Sequence, residues 1–168
     1  MEELRTLRTT LTLFFKDDKM LLGEKKRGFA KGTYNGIGGK QDSGETIEQA
    51  MIRECQEEIG ATPTEYSKVG RMNFNLWYKG EHVNMEMFIY SCSDYVEEVQ
   101  ETEEIKPVWF DIQNIPFDKM LADDLLWLPL VLKGQKIIGK VNFDPNMKML
   151  SHNVKPVTKI DEQEILSL

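Results

Sequence analysis

The most constraining stretch of this sequence runs from Glu45 to Ile59, where neither glycine nor proline occurs, between Gly44 and Gly60. Good helix formers fill it, and Gly60 stands where a left-handed residue commonly closes a helix. The pattern predicts a helix opening at Ser43-Gly44-Glu45-Thr46. At about 100° per residue, Glu54 and Glu58 fall about 40° apart, with Glu57 about 60° to the other side of Glu54. Three carboxylates therefore share one stripe. Met51, Ile52, Cys55 and Ile59 occupy the adjoining arc, which reads as the buried face, so the carboxylates belong at the rim of the domain.

A solvated helix face is the plain reading of such a stripe. A solvating face usually interleaves lysine at i+4 to relieve repulsion, however, and here only Arg53 is at hand. Carboxylates grouped with a main-chain carbonyl are what hard Mg2+ or Mn2+ ions take. A source of that carbonyl lies just upstream, where Gly28, Gly32, Gly36, Gly38 and Gly39 crowd into a loop and short strand. Such density suits close backbone approach.

Around this segment the chain reads as sheet. Thr9 to Phe15 and Met20 to Leu22 flank a turn at Asp17-Asp18-Lys19. Val69 to Tyr78 and Val83 to Ser91 form a second hairpin through Lys79-Gly80-Glu81-His82, and Lys136 to Phe143 with Met149 to Thr158 form a third. Glu97 to Glu104 reads as loop before a short strand at Val108-Trp109-Phe110. A second helix is expected from Asp118 or Asp123 to Leu132, ended by Gly134. With no repeat, linker or composition break in 168 residues, one α/β domain over 1–168 is expected, a sandwich on a mixed, curved sheet. Cys55 and Cys92 cannot make a disulfide framework, which suits a reduced, cytoplasmic setting. No signal peptide or membrane span is visible in the N-terminal residues.

Gly39, Glu45 and Arg53-Glu54-Cys55-Gln56-Glu57-Glu58-Ile59-Gly60, at these spacings, resemble the signature of the Nudix hydrolases. Cys55 and Ala61 depart mildly, replacing larger aliphatics. The resemblance implies an α/β/α Nudix fold and divalent-metal-dependent hydrolysis of a phosphoanhydride in a nucleoside diphosphate linked to another group. It also implies that Glu54, Glu57, Glu58 and the Gly38 carbonyl hold Mg2+, for which Mn2+ can substitute, and that Arg53 orients one of the glutamates. Glu45 reads as structural, at the helix end that favours negative charge. Glu54 and the loop residue Glu104 are both candidates for the base that activates water and for metal contact, with a solvated acidic loop as the alternative for Glu104.

Further similarity spans about Thr9 to Thr158. Leu21 to Phe29, Tyr34 to Lys40, Lys106 to Phe110, Ile115 to Phe117 and Asp123 to Trp127 look like the oxidised-purine nucleoside triphosphatases. That group releases a nucleoside monophosphate and pyrophosphate. The match implies that Asn35 bonds the base, that Asp123 and Asp124 face the purine edge, and that Trp127, Phe29, Phe74 and Met85 line an apolar pocket. Thr10, Lys25, Ile37, Gly38, Gly39 and Lys40 match further substrate positions. Each has a plainer reading: Asn35 as a turn residue, the aspartates as a helix N-cap, Trp127 as core, and Lys25-Lys26-Arg27 as a solvated turn. Leu121 replaces a base-stacking tryptophan and Leu76 another ring, so base preference is where the pattern departs. Other expectations are hydrolysis of another nucleotide, such as an unmodified dNTP or a dinucleoside polyphosphate, or a regulator without turnover.

The net charge of −7 divides by region: residues 19–40 hold six bases and one acid, whereas 39–61 hold six acids and two bases and 94–104 add six acids. That balance disfavours nucleic-acid polymers and anionic membranes while leaving room for a metal-bridged small nucleotide. A monomer or homodimer is expected.

Overall fold

The computed structural model describes residues 3–168. Met1 and Glu2, the start of the stretch read against a leader, lie outside the described residues. The strands are β1 (Arg5–Lys16), β2 (Lys19–Lys25), β3 (Tyr34–Asn35), β4 (Thr62–Tyr78), β5 (Glu81–Val96), β6 (Ile105–Asp111), β7 (Lys136–Phe143) and β8 (Met149–Val157). The helices are α1 (Ile47–Ile59), α2 (Asp124–Leu132) and α3 (Glu162–Leu166). One mixed sheet runs β3-β2-β1-β5-β4-β7-β8, with β6 antiparallel along β2. The pairs β1/β5 and β4/β7 are parallel, and the three expected hairpins are antiparallel.

The second hairpin is longer than its hydrophobic pattern suggests. Its turn shrinks to Lys79 and Gly80, both left-handed at φ 50° and 81°, the geometry that matches strand twist. β4 also reaches back through Pro63 to Thr62, because register shifts between Pro63 and Gly70 absorb residues that a regular ladder would reject. Helix α1 starts one residue later than Thr46, which caps it: Thr46 Oγ1 accepts from Gln49 N at 3.1 Å, and Gln49 Oε1 accepts from Thr46 N at 2.8 Å. Gly60 closes it at φ 72°.

The sheet buries both faces. On one, Leu11, Leu13, Met72 and Phe74 pack with Trp127, Leu128 and Val131 of α2; on the other, Phe14, Tyr90 and Cys92 pack with Met51, Cys55 and Ile59 of α1. The second helix begins at Asp124, and Phe117–Lys119 forms a separate single 3-10 turn. Asp123 has helical angles and makes no side-chain capping bond, so the N-cap reading of the pair fails. The sequence pattern gave no sign of α3, whose Ile165 is buried. It covers Arg71, a fully buried arginine of β4 paired with Glu86 and, at 3.1 Å, with Glu162. Among the described residues no helix is long and apolar enough to cross a membrane.

Candidate active site

The segment before α1 is an extended strip laid beside β1. Thr12 N donates to Ile37 O at 2.6 Å and Thr10 N to Gly39 O at 2.9 Å. Alternation along an extended chain therefore turns Gly38 the other way. Its N–H reaches Glu58 Oε2 at 3.4 Å, so its carbonyl shares the side of the α1 carboxylates. A Cβ is crowded at both glycines: one on Gly38 would lie 1.8 Å from Thr10 O, against backbone, and one on Gly39 would lie 2.5 Å from the Glu54 carboxyl, the end of a side chain.

Arg53 organises the stripe. Its Nη1 donates to Glu54 Oε1 at 3.0 Å and to Glu57 Oε2 at 3.1 Å, while Nη2 reaches Lys40 O at 2.9 Å. Nε and Nη2 together fork onto Glu45. Glu45 is thus a partner of Arg53 rather than a charge placed for the helix dipole. Its carboxyl is held below the ordinary range, chiefly by the Arg53 hydrogen bond, and the Arg53 guanidinium is held above its own, chiefly by Glu45. Burial is the main cause that raises Glu54, opposed by Arg53.

Glu58 has no hydrogen-bonded cation, only the more distant charge of Lys25, which lowers it. Burial first, then repulsion from Glu54, pushes its carboxyl up to about 8, with Glu104 adding to the rise. A half-buried carboxyl short of positive charge, beside Glu54 and an open carbonyl, is an all-oxygen donor set suited to a hard divalent cation. Among the described residues no three acidic, histidine or cysteine side chains have closed into a ready cluster. Arg53 accounts for this, since it draws Glu54 and Glu57 to itself. The loop candidate Glu104 is bound to Arg27 Nη2 at 3.0 Å, and Lys26 pairs with Glu101 at 3.6 Å. The basic run after β2 therefore anchors the acidic loop, and neither is simply solvated. Cys55 and Cys92 are buried with thiols pushed by that burial up to about 12 and 11, which makes them packing residues.

A cavity of about 220 Å³ opens on the other side of the same glycines. Thr10, Asn35, Gly38, Gly39, Phe74, Met85, Leu121, Asp123 and Asp124 line it. Asn35 Oδ1 accepts from Gly36 N at 3.0 Å, so the turn reading holds for that oxygen. Burial is the leading cause that raises both Asp123 and Asp124, and for Asp124 the charge of Asp123 adds to it. Thr10 Oγ1 is buried without a hydrogen-bond partner among the described residues, and Asp124 Oδ2 and Trp127 Nε1 face each other without closing a full hydrogen bond, although the indole N–H lowers both aspartates. Such orphans are rare in a core and mark a place for polar ligand atoms.

Five expected residues do not line the cavity. Phe29 is 69% exposed in the loop after β2, and Ile37 is buried in the α1-side core. Trp127 is core in α2. Lys25 ends β2, where it pairs with Ile105 of β6, and Lys40 turns its ammonium over the Tyr78 ring, 5.0 Å from the centroid. Sequence reasoning missed Met87, Phe143 and Met147 as lining residues. Period-two alternation from Met85 could have found Met87; nothing local marks Met147.

The mixed sheet thus carries a glycine strip, an arginine-ordered glutamate helix and a cavity lined by two aspartates. The NUDIX domain model matches residues 5–131, and the chain belongs to the Nudix family. It is 42% identical over 157 residues to the oxidized purine nucleoside triphosphate hydrolase of Danio rerio, covering 94% of this chain and 96% of that one. Identity to the enzyme of the same name from Mus musculus is 38% over 148 residues, 88% of this chain and 94% of the other. The crystal structure of a MutT protein from Bacillus halodurans shares the fold at a TM-score of 0.77 and 24% identity, covering 89% of this chain and 97% of that one.

Proposed function

We propose that this chain is a Mg2+-dependent nucleoside triphosphate pyrophosphohydrolase that removes oxidised purine nucleotides from the pool, converting 8-oxo-dGTP to 8-oxo-dGMP and pyrophosphate. One observation carries the reading: Gly38 and Gly39 form the wall shared by the acidic cavity and the α1 carboxylates. A nucleotide whose base fills the cavity has its phosphates directed to Glu54, Glu57 and Glu58.

Asp123 and Asp124, on the cavity wall, would pair with the polar edge of a purine, and a protonated carboxyl there donates as well as accepts. Phe74 and Phe143, with ring centroids 6.3 Å apart, supply apolar surface to the base. Glu54, Glu57, Glu58 and the Gly38 carbonyl would hold the divalent ions, which supply charge neutralisation at the phosphates and a more acidic water. Arg53 keeps Glu54 and Glu57 aimed. Since Arg53 takes Glu54 Oε1, Oε2 is free to receive the proton of the attacking water as the anhydride P–O bond breaks and pyrophosphate leaves. The 168 residues act as one unit, a monomer or homodimer in the cytoplasm.

The aliphatic Leu76 and Leu121 in the cavity favour a second reading, hydrolysis of another nucleotide. Turnover of 8-oxo-dGTP, 2-hydroxy-dATP, dGTP and other nucleotides with Mg2+ separates the two. Purine triphosphates should lead, with pyrophosphate as product and all turnover lost to a chelator. A preference of about tenfold or more for dCTP or an ADP-sugar overturns the sanitising role, since a single apolar group is worth about that much discrimination.

A further inference from the structure

The base-side cavity has an uneven wall: Phe74 and Phe143 are its only rings among the described residues, and Met85, Met87 and Met147 supply much of the rest. Met147 differs from its neighbours in how it gets there. It sits at the tip of the β7–β8 turn with φ 62°, a left-handed backbone that glycine adopts freely and methionine does not. Of the five non-glycine residues with positive φ among the described residues, it is the one that lines this cavity.

The turn is built to hold that backbone. Asp144 Oδ1 accepts from Asn146 N at 2.8 Å and Lys148 N at 2.9 Å, and Asp144 O accepts from Met147 N at 3.0 Å. Met147 lines the same cavity as Phe143, which ends β7, and remains 37% exposed there. Unfavourable backbone maintained at a ligand cavity points to use of the side chain there. An unbranched thioether shapes itself to flat surfaces of differing outline.

We propose that Met147 is a specificity-determining contact, an adaptable wall that closes on the face of the bound base. This rests on the cavity being the base site of the proposed function. The experiment compares the unsubstituted chain with Met147→Gly and Met147→Leu. Met147→Gly relieves the backbone, so its Tm should equal or exceed that of the unsubstituted chain. Its KM for purine triphosphates should rise at least about fivefold with kcat within about twofold, while KM for a pyrimidine triphosphate moves less than about twofold. Met147→Leu, close in volume, should restore the purine KM to within about twofold.

Unchanged purine KM in Met147→Gly, or an equal rise for purine and pyrimidine, overturns the proposal. Metal-free binding of 8-oxo-dGMP, read by calorimetry, tests the contact without turnover. Weaker binding by Met147→Gly supports it even where the unsubstituted chain hydrolyses no purine triphosphate, the result that sinks the proposed function alone. Equal binding, or none by either chain, overturns the contact.

Discussion

Arg53 grips Glu45 through two parallel hydrogen bonds, Nε to Oε2 at 3.0 Å and Nη2 to Oε1 at 2.7 Å. That fork fixes the plane of the guanidinium, and only a fixed plane lets Nη1 reach Glu54 and Glu57 together. A lysine is a point charge and cannot reproduce it. Arg53→Lys should lower kcat about 100-fold or more with little change in Tm, because the loss is of aim rather than of core packing. Glu45→Gln should fall in the same direction by a smaller factor. Steady-state kinetics alongside thermal melts check both, and an Arg53→Lys enzyme with kcat near the unsubstituted value contradicts the positioning role.

Gly38 and Gly39 should be intolerant of a methyl group for different reasons. At Gly38 the added Cβ meets backbone, Thr10 O at 1.8 Å, so Gly38→Ala should pry the strip from β1 and lower both Tm and activity. At Gly39 it meets a side-chain end, the Glu54 carboxyl at 2.5 Å. Gly39→Ala should therefore keep the fold and raise the metal concentration needed for half-maximal turnover. Equal Tm losses in the two variants would contradict this division.

Arg71 lies over the Phe88 ring at 4.6 Å and is paired with Glu86 and Glu162. Removing one partner of a buried pair costs about 3–5 kcal/mol, whereas an apolar side chain of similar volume costs less. Arg71→Ala should approach that loss and Arg71→Met should lose clearly less, as urea midpoints will show. Removing residues 160–168 takes away Glu162 and the buried Ile165, so it should also destabilise the chain.

The aspartate pair gives stability a pH slope. Both carboxyls titrate in the folded chain above their ordinary value near 3.8. Above that value the unfolded chain has released protons that the folded one keeps, so stability falls as pH rises through the raised folded values. The slope is at most about 1.4 kcal/mol per pH unit for each proton kept. Asp124→Asn should flatten the decline in Tm between acidic and neutral pH. A slope equal to that of the unsubstituted chain would place the pH dependence elsewhere.

Much of this was legible in the sequence because the relevant forces are local. Thr46, Gln49 and Gly60 bound α1 by capping and left-handed closure, and the three hairpins follow from alternation and turn residues. The stripe of Glu54, Glu57 and Glu58 follows from helical pitch. Legibility ended where a contact joined distant segments. Phe29 matched a pocket position by order in the chain, yet lies exposed on the loop after β2. Asp123 looked like a cap, but its side chain makes no capping bond and faces the cavity instead.

The Nudix helix, the glycine strip before it and the strand hairpins could be read along the chain alone, since helical pitch, strand alternation and glycine's lack of a Cβ act over a few residues. Tertiary structure alone decided that Glu45 belongs to Arg53, that Glu162 and Ile165 seal Arg71, and that Met147 joins Asp124 around one cavity. Those pairings depend on the coiling of the sheet and the aim of its turns, which are set by how the whole chain packs.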